Sequence, residues 1–463
     1  MHHLTSRKVS LACVLLATSL SVVAQMTKPE SESSSVPAPA QSQYDMASAA
    51  AKTALDALGL QLWGYARAGA YYAKDDLRKG GYGLGTVGFN RFGNEGDQFI
   101  EFGIGKQWNI SGVKAGIYWM PYLYNSQTVK VDGTKQVYAD ISGLSFAPEL
   151  SFWAGQRYHR IQDVHIIDAW LMEDGDNFGG GVDGFKLGSG GGTLNLAFHT
   201  EGNTDNSTTT SAAKRVNLQA RDIPITPDGT LTLTAGVIRG NFSDKKTSFA
   251  LGALYNQKFG VLKNSLFLQG SNGHANLSGK FYALNGRVAT TTSSPFICTV
   301  PQNPDGSCPT SGLADNPNPT IVTSTIFNPG AKQYRIVDSI NWQSGLFGGQ
   351  ALIGYETAKP SNTDKTTKNL GLGARLSYGV ARNVKLYGDA NYATLKTDGS
   401  STQRLNKQTL GIAVAPNTDF WSRPEVRLYV SRVGGNDAVK ATGAFGNRSN
   451  VILAGIQMEA WWE

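Results

Sequence analysis

From Leu60 onward the chain is written in short runs in which apolar and polar side chains alternate. Leu62, Gly64, Ala66 and Ala68 share one face of a strand, while Gln61, Trp63, Tyr65 and Arg67 share the other. Phe99 and Glu101 alternate with Ile100, Phe102 and Ile104, and Val113, Ala115, Ile117 and Trp119 alternate with Lys114, Gly116 and Tyr118. The pattern returns in Phe249, Leu251, Ala253 and Tyr255, and again where Val426, Leu428 and Val430 oppose Glu425, Arg427 and Tyr429. A period of two with one greasy and one wet face predicts strands, not helices.

Short connectors fall at 109–112, 146–149, 189–193, 227–230, 259–264, 346–349, 379–383 and 417–424, most holding Gly, Pro, Asn or Asp. Longer polar loops, at 125–135, 203–213, 271–332 and 434–450, lie between them. Short and long connectors taking turns predict an all-β fold, a transmembrane antiparallel β-barrel of about eighteen strands. The pattern runs to the end of the chain: Ile452, Ala454, Ile456, Met458, Ala460 and Trp462 face one way, Gln457, Glu459 and Trp461 the other. An unpaired edge cannot be left in hydrocarbon, so the first and last strands are expected to pair. Trp462 then joins an interfacial aromatic girdle, and Trp461 looks inward.

Composition narrows the remaining choices. Among 463 residues, 54 are Gly, and the mean hydropathy is −0.25. No apolar run long enough for a helical span follows the N-terminus. Residues 1–24, with Arg7 and Lys8 ahead of an apolar core and Val22-Val23-Ala24 at its end, read as a secretory signal. Cys13 lacks a lipobox, so no lipid anchor is expected. Cleavage removes Arg7 and Lys8 and lowers the formal charge from +7 to +5, too mild an excess to indicate nucleic acid. Residues 25–59 read as a Ser- and Pro-rich periplasmic tether in which 46–58 suit a short helix, and residues 60–463 as the barrel. Cys298 and Cys308, in one polar loop of an oxidising compartment, are expected to form a disulfide, two free thiols being the alternative.

One stretch departs from alternation. After Trp153-Ala-Gly-Gln-Arg157, the segment Asp163-Val-His165-Ile-Ile-Asp168-Ala-Trp170 packs two carboxylates, a histidine and a tryptophan into eight residues. It is too polar for a membrane face and too aromatic for a solvent loop, so it must lie against something. These motifs resemble the maltoporin (LamB-type) carbohydrate porins of Gram-negative outer membranes. So do Gly64-Tyr-Ala-Arg67, Arg91-Phe-Gly-Asn-Glu95, Trp421-Ser-Arg-Pro424 and Gln457-Met-Glu-Ala-Trp461-Trp462, in the family's order.

The resemblance implies a homotrimer in outer-membrane lipid, with saccharides as substrates, no cofactor and no metal. It implies that Tyr65, Phe99, Trp170 and Trp461 belong to an aromatic slide and its constriction. Arg67, Arg91, Glu101, Asp163, His165 and Asp168 match the polar tracks beside it. Such a pairing suits sugars, whose C–H faces want rigid aromatic area and whose hydroxyls bond best to ionised partners. Three positions depart from the family: Ile161 stands where an arginine is expected, with Arg160 beside it; Trp119 and Tyr122 are the candidates for a second-loop tryptophan; and a later slide tryptophan falls near Gly379. A shorter slide with a bulkier constriction points to short saccharides.

Other functional classes fit the residues less well. Asp163-x-His165-x-x-Asp168 offers imidazole and carboxylate to a metal, but at loose spacing and with one histidine. A barrel hydrolase would draw its base from His159, His165, His199 or His274, yet no serine sits in a nucleophile setting. A secreted β-rich adhesin would share the strands but would not end in a strand of aromatics.

Overall fold

The computed structural model describes residues 53–73, 82–94, 96–125, 131–173, 178–200, 213–240, 246–277, 289–292, 296–298, 300, 313–315, 321–324, 331–359, 364–445 and 448–462. The signal segment, most of the tether and Cys308 lie outside the described residues, as does the side chain of Cys298. Of the expected helix at 46–58, residues 53–58 are described, and 53–57 of them are helical.

Eighteen strands form one sheet. Each pairs antiparallel with its neighbour in the chain, from Leu60–Ala73 and Gln98–Ile110 onward to Glu425–Gly435 and Asn450–Trp462. The last strand returns to the first, with Gly64 opposite Trp462 and Ala73 opposite Leu453. Closure leaves no edge, as hydrocarbon demands.

The alternation read from the sequence becomes the two faces of this wall. Ile117, Leu251, Leu428 and Ile456 are exposed on the outside, whereas Tyr118, Leu254, Tyr429 and Gln457 are buried within. Trp462 lies 6.2 Å from the outward Phe102, ring to ring. The short turns gather at one end of the barrel and the long loops at the other.

The interior is more crowded than alternation alone implies. Two segments fold inward from the long-loop end. In the first, 82–94, Val87 and Phe92 are fully buried. It docks where the wall is bare of side chains: a Cβ at Gly371 would run into the Val87 backbone, and one at Gly373 would meet Asn90. The second is a hairpin of Arg160–Val164 and Ala169–Glu173 around a short 3-10 turn, His165–Ile167. Its Val164, Ile166, Ile167 and Leu171 sink into a patch of inward-facing Leu254, Phe267, Val337 and Leu352. Those wall positions are apolar because the hairpin covers them, and burial of each large aliphatic side chain stabilises the seat by roughly 1.5–3 kcal/mol.

The chain leaves the wall for the hairpin at the Trp153–Arg157 motif. The Trp153 ring lies 4.7 Å from His159 and 5.8 Å from His199, and Arg157 bonds Asp183 at 2.7 Å. Burial above all, then the neighbouring Arg157 and His199, pushes the His159 imidazole well below its usual range. The motif is thus the hinge post of the inner segment.

Candidate functional site

The hairpin turn ends on Asp168, whose φ of 51° puts it in the left-handed region that short polar side chains tolerate. That conformation aims its carboxylate across the lumen, 3.2 Å from Arg67 and 2.9 Å from Arg91. Arg91 belongs to the first inward segment, and its backbone N–H donates to the Ile166 carbonyl at 3.0 Å. Arg67 also grips Asp97 at 2.6 Å. One carboxylate therefore ties both inward segments to the first strand.

Beside this clamp runs a line of rings. Trp461 and Tyr65 sit opposite each other on the closing strands. Tyr65 lies 6.3 Å from Phe99, and Phe99 lies 6.3 Å from Tyr122 and 6.1 Å from Tyr124. Toward the short-turn end the line continues from Trp461 through His165, at 5.5 Å, to Trp421, a further 5.4 Å on. The row climbs obliquely because successive inward residues come from tilted neighbouring strands. Charges flank it: the Arg67 guanidinium stands 5.1 Å from the Phe99 centroid, that of Arg423 4.4 Å from Trp461, and the Lys135 ammonium 4.1 Å from Tyr122.

Of the residues singled out from sequence, Tyr65, Phe99, Trp461, Arg67, Arg91, His165 and Asp168 come together here. Glu101 joins from the wall, accepting from the Tyr158 hydroxyl at 2.7 Å. Trp170 stands apart from the row, its ring 5.0 Å from the Arg160 guanidinium, and Arg160 in turn lies 3.8 Å from Glu101. Arg160, not Ile161, therefore brings a guanidinium to this corner; Ile161 packs against the hairpin's apolar seat. Asp163 lines a recess beside Trp421, its carboxylate 4.0 Å from the His165 imidazole. Tyr122 faces the lumen, whereas Trp119 is exposed on the outer wall and donates to Thr134 at 3.2 Å.

Alternation sets Glu425, Arg427 and Glu459 on the inner face, but what they build there depends on partners far along the chain. Glu459 accepts from the Tyr65 hydroxyl at 2.9 Å, from Arg423 at 2.8 Å and from Arg427 at 3.1 Å, with His165 at 3.5 Å. Glu425 meets Lys385 at 2.9 Å, Arg427 at 2.8 Å and the Tyr387 hydroxyl at 2.8 Å. Arg423 comes from the Trp421-Ser-Arg-Pro424 turn, and nothing local in the sequence signals its partner 36 residues on. Among the described residues no cluster of three or more His, Cys, Asp or Glu side chains is placed to hold a metal ion.

The LamB porin family model matches residues 60–462. A maltoporin of Vibrio cholerae serotype O1 (strain ATCC 39315 / El Tor Inaba N16961) is 22% identical over 89% of this chain and 97% of its own length. One of Hahella chejuensis is 24% identical, covering 69% of each chain. Among solved structures, an anion-selective porin from Comamonas acidovorans is 12% identical with a TM-score of 0.42, covering 87% of this chain and 99% of that one.

Proposed function

Because this chain belongs to the LamB porin family and is a porin of the Gram-negative outer membrane, we propose that it passes short saccharides along the aromatic row. The observation that carries the reading is the continuity of that row from Tyr122 to Trp421 with charged groups on its flank. A pyranose offers a C–H face to each ring in turn while its rim hydroxyls exchange one charged partner for the next. Binding of this kind is repeated and shallow, as a conducting pathway requires.

Arg67, Arg91, Glu101, His165 and Asp168 supply the hydroxyl partners in this reading, and Trp170, above Arg160, narrows the way. The family resemblance extends the proposal to a homotrimer with a channel in each subunit. On the same resemblance, which sets a further slide ring near Gly379, the proposal favours disaccharides over long chains.

Single channels in planar bilayers test the reading. Maltose, sucrose or trehalose should interrupt the ion current in a saturable way, and an amino acid of similar size should not. Equal passage of both solute classes, without saturation, would leave a general pore.

Two variants sharpen the test. Trp170→Ala should raise conductance and weaken sugar block together, and an unchanged conductance would remove Trp170 from the narrowest part. Asp168→Asn loosens the hold on Arg67 and Arg91, so it should weaken sugar block more than it alters small-ion flow. The opposite order would make Asp168 a wall residue.

A further inference from the structure

The outer wall changes character toward its long-loop end. On four consecutive strands, Thr367–Ala381, Val384–Thr397, Gln403–Val414 and Glu425–Gly435, every second residue faces away from the lumen. On the third, outward Val414, Ile412 and Leu410 give way to Gln408, Asn406 and Arg404. On the fourth, Leu428 and Val430 lead to Arg432, and the first two strands reach Lys368 and Lys396 in the same way. All four cations are exposed, and no outward position of these strands holds a carboxylate.

The four lie close together without an anion of their own. Lys368 stands directly opposite Lys396, and Arg404 opposite Thr394, one outward step below Lys396. Like charges opposed across a sheet repel. Cations of the lumen are matched by carboxylates, as Arg67 is by Asp97 and Arg375 by Asp389. On the outer wall, among the described residues, no ion pair or side-chain hydrogen bond engages Lys368, Lys396, Arg404 or Arg432. The connectors' acids are directed elsewhere: Asp364 pairs with Lys359 at 3.4 Å, and Asp398 accepts from the Thr366 N–H at 3.0 Å.

Below Arg432 the wall is scooped out. An open trough of about 940 Å³ crosses the seam of the barrel, walled by Tyr72, Leu410, Leu428, Val430 and Ile456 over a low floor at Ala454. No charged side chain lines it. Ala454 lies opposite both Tyr72 and Val430, and Arg432 is the next outward residue after Val430, so the trough ends at a guanidinium.

We propose that this face binds a phosphorylated glycolipid of the cell-surface leaflet, its phosphates on the four cations and an acyl chain in the trough. Long loops of outer-membrane barrels face the cell exterior. The cations therefore stand at the headgroup level of that leaflet, and the trough lies in its hydrocarbon. Ammonium and guanidinium groups meet phosphate oxygens with charge-assisted hydrogen bonds, and arginine does so with two at once. A phosphate between Lys368 and Lys396 replaces their repulsion by a shared attraction. A soluble acidic partner would reach the cations but not the trough.

The test uses the full-length protein in a neutral detergent, with bis-phosphorylated lipid A as the probe and native mass spectrometry to count bound lipid. Lipid A should bind saturably, and its dephosphorylated form, with the same chains, more than about tenfold more weakly. Lys396→Gln with Arg404→Gln should weaken lipid A binding about 25-fold, because each basic side chain near an anionic lipid surface is worth roughly fivefold. Ala454→Phe, which fills the trough from outside, should weaken both lipid forms alike. None of these changes touches the lumen, so sugar block should stay as in the parent, and failure of either proposal leaves the other standing.

Equal binding of the two lipid forms, or unchanged affinity in the double variant, would overturn the phosphate contacts. Inorganic phosphate that displaced lipid A at equal concentration would leave an anion site without a lipid. An Ala454→Cys thiol shielded from a membrane-soluble maleimide in the lipid-free oligomer would show the trough closed by a second copy of the chain and overturn the acyl-chain assignment.

Discussion

Glu459→Gln should cost the barrel more than any other single change considered. Its carboxylate is 1% exposed and lies within 3.1 Å of both Arg423 and Arg427. Glutamine keeps the shape but removes the charge, leaving Lys385, Arg423 and Arg427 to share Glu425. Removing one partner of a buried pair typically costs about 3–5 kcal/mol, because the desolvated charge left behind has nothing to answer it. In the folded-to-unfolded ratio this is roughly two to four powers of ten.

The temperature at which the detergent-solubilised barrel loses its β circular dichroism should therefore fall clearly. A double variant, Glu459→Gln with Arg427→Gln, restores the balance of sign and should lose less than the two single changes added together. Strict additivity would mean that the two side chains do not stabilise one another. Because the variant lumen carries one negative charge fewer, its reversal potential in a salt gradient should also move toward anions.

Trp461→Ala should have the largest effect on sugar binding. In the proposed path its ring joins Tyr65 to His165 and Trp421, so its loss opens a gap in the middle of the row. Burial of one aromatic face against C–H groups, with the ring's directional contribution, is worth about 1.5–3 kcal/mol. The half-blocking concentration of maltose should rise roughly 10- to 150-fold. Trp461→Phe should recover most of the block, since a smaller flat face remains. Small-ion conductance should rise modestly in the alanine variant, because the lumen gains the volume of the indole. Sugar block that survived the alanine change intact would make Trp461 a piece of wall, and the row would no longer be the path.

Alternation of side chains is a local property of an extended chain, so it survives in the sequence whatever lies across the barrel. That is why the sequence alone assigns Tyr65, Arg67, Glu101, Glu459 and Trp461 inward and Trp462 outward. The alternating short and long connectors gave the strand number for the same reason. The odd segment after Arg157 could be recognised as lying against something only because it broke the pattern.

What the chain's own order determined is a closed wall with a wet inner face and a greasy outer one. Which inner residues meet was decided in three dimensions. Asp168 finds Arg67 across 101 residues, and Asn90 finds Asp389 across 299. Leu254, Phe267 and Val337 interrupt the wet face at positions explained only by the hairpin above them. A period of two fixes the side of the wall on which a residue stands, but it carries no information about a partner on a strand or loop far along the chain. The ion network of Glu425 and Glu459, and the recess beside Trp421, became visible only once the sheet had closed and the two inward segments had docked.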